Sequence, residues 1–335
     1  MVLKQTAPSK LDCVIGDRCR IHSVDMVMSE APARVVLSGA SGMLGAALRC
    51  ALEARGRPVL QLVRSAPASP GQLTWNPAAK PAIGDSRVLE GCAAAIHLSG
   101  ASVAGQRWSA AYQREITASR VDSTQALATA LAGLRRPPQT LLAASAVGIY
   151  GNRGDELLDD CSAPGTGFLA SVCRQWEAAA QPAADAGIRI VHLRFGVVIG
   201  PGPGALVKML PLFRLGLGGR LGSGRQWWSW VSLRDAARAF AFAVENEQVR
   251  GALNLAAPHA VTNAEFTRTL AHLLHRPALL TLPAFALRAI GGEMAEATLL
   301  ASQRVIPKRL LEAGFIFEDQ ELEPALRELL RARTQ

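Results

Sequence analysis

Lysine and tyrosine are the scarce residues of this 335-residue chain. It holds five lysines (Lys4, Lys10, Lys80, Lys208, Lys308) and two tyrosines, Tyr112 and Tyr150. No lysine falls between Lys80 and Lys208, and four residues beyond the tyrosines stand Ile116 and Gly154. The sequence therefore contains no Tyr-x-x-x-Lys pair. Aromatic residues make up 5% of the chain, too few for an evident base-stacking platform. The net charge of +9 is carried mainly by scattered arginines, without a block of about five or six like charges. No nucleic-acid partner is expected, although the surplus would help attract a phosphorylated small molecule. Six cysteines (Cys13, Cys19, Cys50, Cys92, Cys161, Cys173) form no CxxC pair and no zinc-like spacing, so no metal site is expected. Most lie among apolar residues, as free buried thiols would in a reducing, cytoplasmic setting. The most apolar late stretch, 278–290, is interrupted by Pro283 and Arg288 and is too short to cross a bilayer. Asp12, Asp17 and Asp25 argue against a secretory or transit signal, leaving residues 1–33 as a flexible leader.

The content is otherwise that of a globular chain, 49% hydrophobic and 19% charged, with no internal repeat. Short apolar runs at 34–38, 58–63, 93–98, 141–145 and 188–194 read as buried strands, with LNLA at 253–256 as another. Helical patterns separate them at 43–55, 108–133 and 168–186. Continuous apolar strands alternating with amphipathic helices predict an α/β fold, a doubly wound parallel sheet of Rossmann type. After Phe195 the texture changes, with glycine and proline clustered at 196–204 and 216–224 and tryptophans at 227, 228 and 230. This predicts a nucleotide-binding domain over 34–195, with segments returning near 231–256. A smaller substrate lobe would occupy most of 196–335 and close over the sheet's carboxyl edge, where such folds bind ligands.

GASGMLG, residues 39–45, follows the first strand and opens the first helix with the spacing GxxGxxG. In that context Gly39 permits the tight turn, Gly42 lets phosphates approach the backbone and Gly45 lets the helix pack closely. Ser41, Met43 and Leu44 complete the loop; the competing reading is a purely structural turn. The second strand ends at Arg64 and Ser65 instead of an acid, which favours a 2′-phosphate over a free ribose hydroxyl and hence NADP(H). Arg64 could equally be a solvated residue ending a strand. A methyltransferase on a similar sheet is disfavoured, because this arginine would then have no phosphate to meet.

With GASGMLG, HLSGAS (97–102) and SAVGIYG (145–151), the chain resembles the extended short-chain dehydrogenase/reductase superfamily. More narrowly it is similar to an atypical epimerase-family subgroup, through LRFGVVIGPG (193–202), GLGGRLGSGRQWWSWV (216–231), ALNLAAPHAVTNAEF (252–266) and the tail IPKRLLEAGFIFEDQELEPAL (306–326). The resemblance implies an NADP-type cofactor on the glycine loop and Arg64, Leu98, Ser99 and Gly100 along it, Ser145 near the reactive ring, and a cleft between two lobes. In the superfamily a tyrosine moves the proton while hydride passes to or from the nicotinamide, and a lysine four residues on lowers its pKa. Counting back from Glu177 puts Leu169 at the tyrosine position and Cys173 at the lysine position.

Three alternatives remain open from sequence. Another group could supply the proton: Tyr150 first, set against a packed turn residue, then Glu177, set against an ordinary salt bridge, or Cys173. His97 and His192 read as satisfied core histidines. Alternatively, hydride could pass to an activated alkene or imine with no side-chain acid, Ser145 only orienting the acceptor. Or the protein could bind NADP(H) without turnover. In the lobe, Arg225, Gln226 and Trp228, with Arg194, could clamp a small polar substrate or could simply anchor the lobe. The leading reading is an atypical NADP(H)-dependent oxidoreductase or epimerase-like enzyme acting on a small molecule.

Overall fold

Seven parallel strands form the main sheet. They are β1 Val35–Ser38, β2 Val59–Val63, β3 Gln72–Thr74, β4 Ala94–His97, β5 Thr140–Ala146, β6 Arg189–Phe195 and β7 Gly251–Leu255, ordered β3-β2-β1-β4-β5-β6-β7. The computed structural model describes residues 34–202 and 204–332. The leader expected at 1–33 lies outside the described residues, as do Cys13 and Cys19.

The winding reverses between β1 and β4, so a crevice opens at the carboxyl ends of those two strands. Both faces of the sheet are covered, which is why its strands read as unbroken apolar runs. On one face, Leu48 and Leu52 of α1 (Met43–Ala54) pack with Ala236, Ala239 and Phe240 of the helix Leu233–Glu245. On the other face, Leu127 and Leu131 of α2 (Ala110–Ala132) pack with Trp75, Ile83 and Leu89. Ser109 starts α2 by accepting the Tyr112 N–H at 3.2 Å.

The helical run expected at 168–186 is two helices, α3 (Phe168–Ala178) and a short one at Gln181–Asp185 with Pro182 in its first turn. Strand β3 escaped the sequence reading because it is three residues long, pairs on one side only and carries no fully buried side chain.

One two-stranded pairing joins Leu157–Leu158, which precedes β6, to Arg304–Val305; beyond β6 lie three more, among them Trp227–Trp228 with Val261–Thr262 and Gly219–Leu221 with Leu280–Leu282. They surround a separate apolar cluster built from Leu206, Leu210, Trp228, Trp230, Phe266 and Leu270. The helix Asn263–Leu273 is started by a capping box between Thr262 and Glu265. All the described residues fall in one compact unit. Among them no helix is long and apolar enough to cross a membrane. Among the described residues the thiols divide evenly: Cys92 and Cys173 are buried, whereas Cys50 and Cys161 are exposed, fewer buried than their apolar neighbours implied.

Candidate functional site

The glycine loop takes the form its spacing predicts. Gly39 has φ +76, and a Cβ there would lie 2.8 Å from the Leu98 carbonyl carbon, at the end of the neighbouring strand. A Cβ on Gly45 would run into the Gly39 carbonyl oxygen. Both glycines are thus required by the protein's own packing. Gly42 differs: the nearest atom to a Cβ there is the Gly39 oxygen at 3.4 Å, and Ser41 and Gly42 form the exposed tip of the loop. The first helical N–H groups of α1 have no partner one turn back, no side chain caps them and no acid stands in the first turn. The loop is therefore an open, donor-rich concavity that fits a diphosphate. Met43 and Leu44 are half-buried, and the Met43 thioether packs against Gly200 and Gly202 from beyond β6.

Because β2 runs beside β1 with Ser38 opposite Leu62, Arg64 emerges next to this loop. Arg64 is exposed and has no side-chain partner among the described residues. Leu98, Ser99 and Gly100 continue from β4, with the Leu98 N–H donating to the Ser38 carbonyl at 3.2 Å. The structure therefore brings together all ten residues expected to hold the dinucleotide.

The residues expected to act on substrate are distributed otherwise. Tyr150 is fully buried; its hydroxyl accepts from Arg194 Nη1 at 3.0 Å and donates to Asn254 Oδ1 at 2.7 Å, with the Asp159 carbonyl also at 3.0 Å. Burial pushes the phenol's pKa up despite the Arg194 charge. The expectation of an acid/base at Tyr150 opening into the cleft is corrected, because every polar contact of the phenol is internal. Arg194 is corrected likewise. It is 7% exposed, straddles Glu177 at 2.8 and 2.9 Å and also donates to the Asp160 carbonyl at 3.2 Å.

Burial raises the Glu177 pKa, but the Arg194 bonds and charge outweigh it and hold the carboxyl below its ordinary range. Burial works against the Arg194 charge too, and Glu177 overcomes it, so the guanidinium stays firmly protonated. Ser145, 1% exposed, donates to Glu177 Oε1 at 2.7 Å. It faces this ion pair and is not presented to the crevice. Register explains the grouping: Ser145 lies opposite Arg194 across β5 and β6, and α3 covers that face.

The lobe residues separate as well. Gln226 spends its amide on the Leu221 and Leu299 carbonyls at 2.9 and 3.1 Å. Trp228 packs on Phe266 at 5.4 Å, with its Nε1 buried and unpartnered. Arg225 is exposed, and only its backbone N–H is engaged, by Ser223 Oγ at 3.2 Å. The expected clamp of Arg194, Arg225, Gln226 and Trp228 is not assembled: Arg194 is held by Glu177, Gln226 by two carbonyls and Trp228 by Phe266, while Arg225 is exposed apart from them.

Leu169 and Cys173 lie one turn apart on α3 and both adjoin Gly148. A Cβ on Gly148, just past β5, would lie 3.5 Å from Leu169 Cβ and 4.0 Å from Cys173 Sγ. Burial pushes the Cys173 thiol up to about 12, with the Glu177 charge adding to it, so this is no ready nucleophile. His97 is a satisfied core histidine, bonded to Ser38 Oγ at 2.6 Å and Ser123 Oγ at 3.0 Å, and burial lowers its pKa to about 4. His192 is buried, but its Nδ1 has no partner.

Arg120 escaped sequence reasoning. It projects from α2 and is partly exposed. Its Cζ lies 5.1 Å from the centroid of the Trp176 ring and 3.3 Å from where a Gly100 Cβ would stand. The available signal was an arginine with no acid one turn away on its helix, where Ile116, Thr117, Ser123 and Thr124 stand. Among the described residues no group of three or more His, Cys, Asp or Glu could hold a metal ion.

Known proteins resemble this chain in sequence and in fold. Residues 35–256 match the NAD dependent epimerase/dehydratase family, and residues 282–329 match a domain of unknown function, DUF1731. An epimerase family protein of Mycobacterium tuberculosis is 44% identical over 296 residues, covering 88% of this chain and 97% of that protein. The human epimerase family protein SDR39U1 is 37% identical over 300 residues, covering 89% and 99%. A crystal structure of the human protein (isoform2) with NADPH superposes with a TM-score of 0.82 at 36% identity, covering 89% of this chain and 99% of that one. A nucleoside-diphosphate sugar epimerase from Corynebacterium glutamicum superposes at 0.72 and 35% identity, covering 89% of this chain and 58% of that one. By sequence, the chain belongs to the NAD dependent epimerase/dehydratase family.

Proposed function

We propose that the protein binds NADP(H) at the crevice between β1 and β4 and serves a hydride-transfer reaction that uses no side-chain acid of the usual kind. One observation carries the cofactor: the open tip Ser41–Gly42, its bare helix N-terminus and the unpartnered Arg64 lie together at adjacent strand ends. The donors suit a pyrophosphate, and Arg64 suits a 2′-phosphate. The human relative crystallised with NADPH supports the same choice.

Bound there, the reduced nicotinamide would supply a hydride. The chain's part would be to position the acceptor against Gly148, Leu169 and Cys173 and to limit water beside them. Ser145, Glu177 and Tyr150 are already engaged with one another through Arg194. An activated alkene or an imine, which can take hydride on carbon while water or the substrate itself supplies the balancing proton, fits that wall better than a simple ketone.

The same engagement favours a second reading, in which the protein binds NADP(H) and reports it to a partner without turnover. Steady oxidation of NADPH when the purified protein is offered a panel of unsaturated acids, imines and carbonyls supports the enzyme. A conformational response to NADPH with no oxidation by any member of the panel supports the sensor. Titration with NADPH and NADH by tryptophan quenching comes first; if neither binds, both readings fail.

A further inference from the structure

Among the described arginines that are buried or half-buried, most have their guanidinium donors met by a carboxylate or by several carbonyls; Arg120 and Arg304, each resting on a tryptophan, do not, and of these Arg120 lies beside the crevice. Arg194 has Glu177. Arg189 donates to the carbonyls of Ala243, Val244, Asn246 and Val249, and Arg309 to those of Ala252 and Arg250. Arg120 donates only to the Ile116 carbonyl, at 3.1 Å, and rests on the face of Trp176. Among the described residues no carboxylate lies within ion-pair distance of it; its ionisable neighbours are the Cys173 thiol and the Tyr112 phenol. Burial disfavours its charge, and among the described residues one backbone carbonyl and the face of Trp176 offset that cost only in part.

The location is specific. Gly100, which Arg120 touches, follows β4, and Cys173 sits behind Gly148 at the end of β5. The phosphate-shaped loop and Arg64 are at the ends of β1 and β2, on the other side of the crevice. Tyr112 helps hold the Gly100–Gly105 stretch by bonding its hydroxyl to the Ser102 carbonyl, and the Ala101 N–H donates to Ser119 Oγ at 3.0 Å. Trp176 is itself fixed by its Nε1 bond to Thr124 at 3.0 Å. The guanidinium is thus pre-oriented by a rigid ring, with most of its donors unspent.

We propose that Arg120, seated on Trp176 beside Gly100, anchors an oxyanion, carboxylate or phosphate, of the substrate that meets the nicotinamide half of the cofactor. The proposal rests on the dinucleotide reading above for the identity of that cofactor. A planar fork of donors in a half-buried site binds such a group in two parallel bonds, and more strongly than in open water. It assigns a substrate class, a small organic anion, to a cleft from which Tyr150, Ser145 and Arg194 are withdrawn into the core.

The test is isothermal titration of the NADPH-saturated protein with oxalate and, separately, with inorganic phosphate, on wild type, Arg120→Lys and Arg120→Met. Saturable binding of at least one anion, weakened tenfold or more in Arg120→Met and less in Arg120→Lys, with NADPH affinity unchanged within twofold, is the expected result. The anion that binds identifies the group. Equal anion binding in all three proteins, or none in wild type, overturns the proposal. So does a tenfold loss of NADPH affinity in Arg120→Met, which would make Arg120 a cofactor contact. If wild type does not bind NADPH, the dinucleotide reading fails by itself, and the same titration without nucleotide still reads the anion site. If Arg120→Met does not fold, Arg120→Gln takes its place.

Discussion

The two halves of the crevice are built on opposite terms. Around Gly39–Gly45 the backbone does the work: donors are left open, the neighbouring Arg64 is unspent, and the side chains step aside. Around β5 and α3 the side chains are present and polar, yet they face inward, and Glu177, Arg194, Ser145 and Tyr150 satisfy one another. A dinucleotide site can persist on backbone geometry alone. Proton transfer needs a group with an exposed, tunable pKa, and this half presents none beyond the cation of Arg120. The sequence lacks the Tyr-x-x-x-Lys pair and keeps the glycine loop.

The sharpest way to break this comparison is to treat Glu177 as a working acid. As half of a buried pair it should instead be structural, and Glu177→Gln should lower stability by about 3–5 kcal/mol in urea unfolding, because Arg194 is left buried and uncompensated. Adding Arg194→Met should recover part of the loss. A Glu177→Gln protein of unchanged stability, but with an altered pH profile of NADPH oxidation, would return Glu177 to the catalytic list.

The second test is acid. His97 has a folded pKa near 4 against 6.5 for the ordinary imidazole, so the unfolded chain binds the extra proton first. Its contribution is complete above about pH 6.5 and is lost as pH falls toward 4, about 3 kcal/mol over that window. Glu177, with its pKa held below 4.5, adds its own loss only below that value. His97→Gln should therefore flatten the stability profile between pH 6.5 and 4. A wild-type melting temperature that does not change across this range contradicts the buried neutral imidazole.

Arg64 sharpens the other half. Arg64→Ala should weaken NADPH by about 10- to 100-fold, the worth of a charge-assisted bond to the 2′-phosphate, and leave NADH binding unmoved. Equal weakening of both nucleotides would place the arginine elsewhere on the cofactor. The smallest effect is expected at the thiols. At pH 8, Cys50 and Cys161 should react with a maleimide while Cys173, at about 12, stays unmodified in peptide mapping. Rapid labelling of Cys173 would mean that the wall beside Leu169 is more open and more polar than its packing indicates.

Local pattern carried the fold a long way. Glycine spacing is a backbone requirement, and apolar runs are a burial requirement, so both are written at the positions that need them; the strand at 35–38, the turn after it and the helix at 43–54 follow directly. The register of α3 was legible too, because helix periodicity ties Leu169 and Cys173 to Glu177. Orientation was not. Whether Tyr150 looks into a cleft or into the core depends on Asn254 and Arg194, 104 and 44 residues away. Gln226 and Trp228 have the chemistry of a substrate clamp and the packing of a lobe core, and composition does not separate the two. Arg120 drew no attention as one arginine among many until the fold set it on Trp176 without a counter-charge.

By itself, then, the sequence determined the sheet, the phosphate-shaped loop and the loss of the Tyr-x-x-x-Lys pair, since each is a matter of residues near one another in the chain. Only the tertiary structure decided which polar groups are spent and which are free. A charge finds its partner through space, across β5, β6 and α3, and no local pattern records who meets whom.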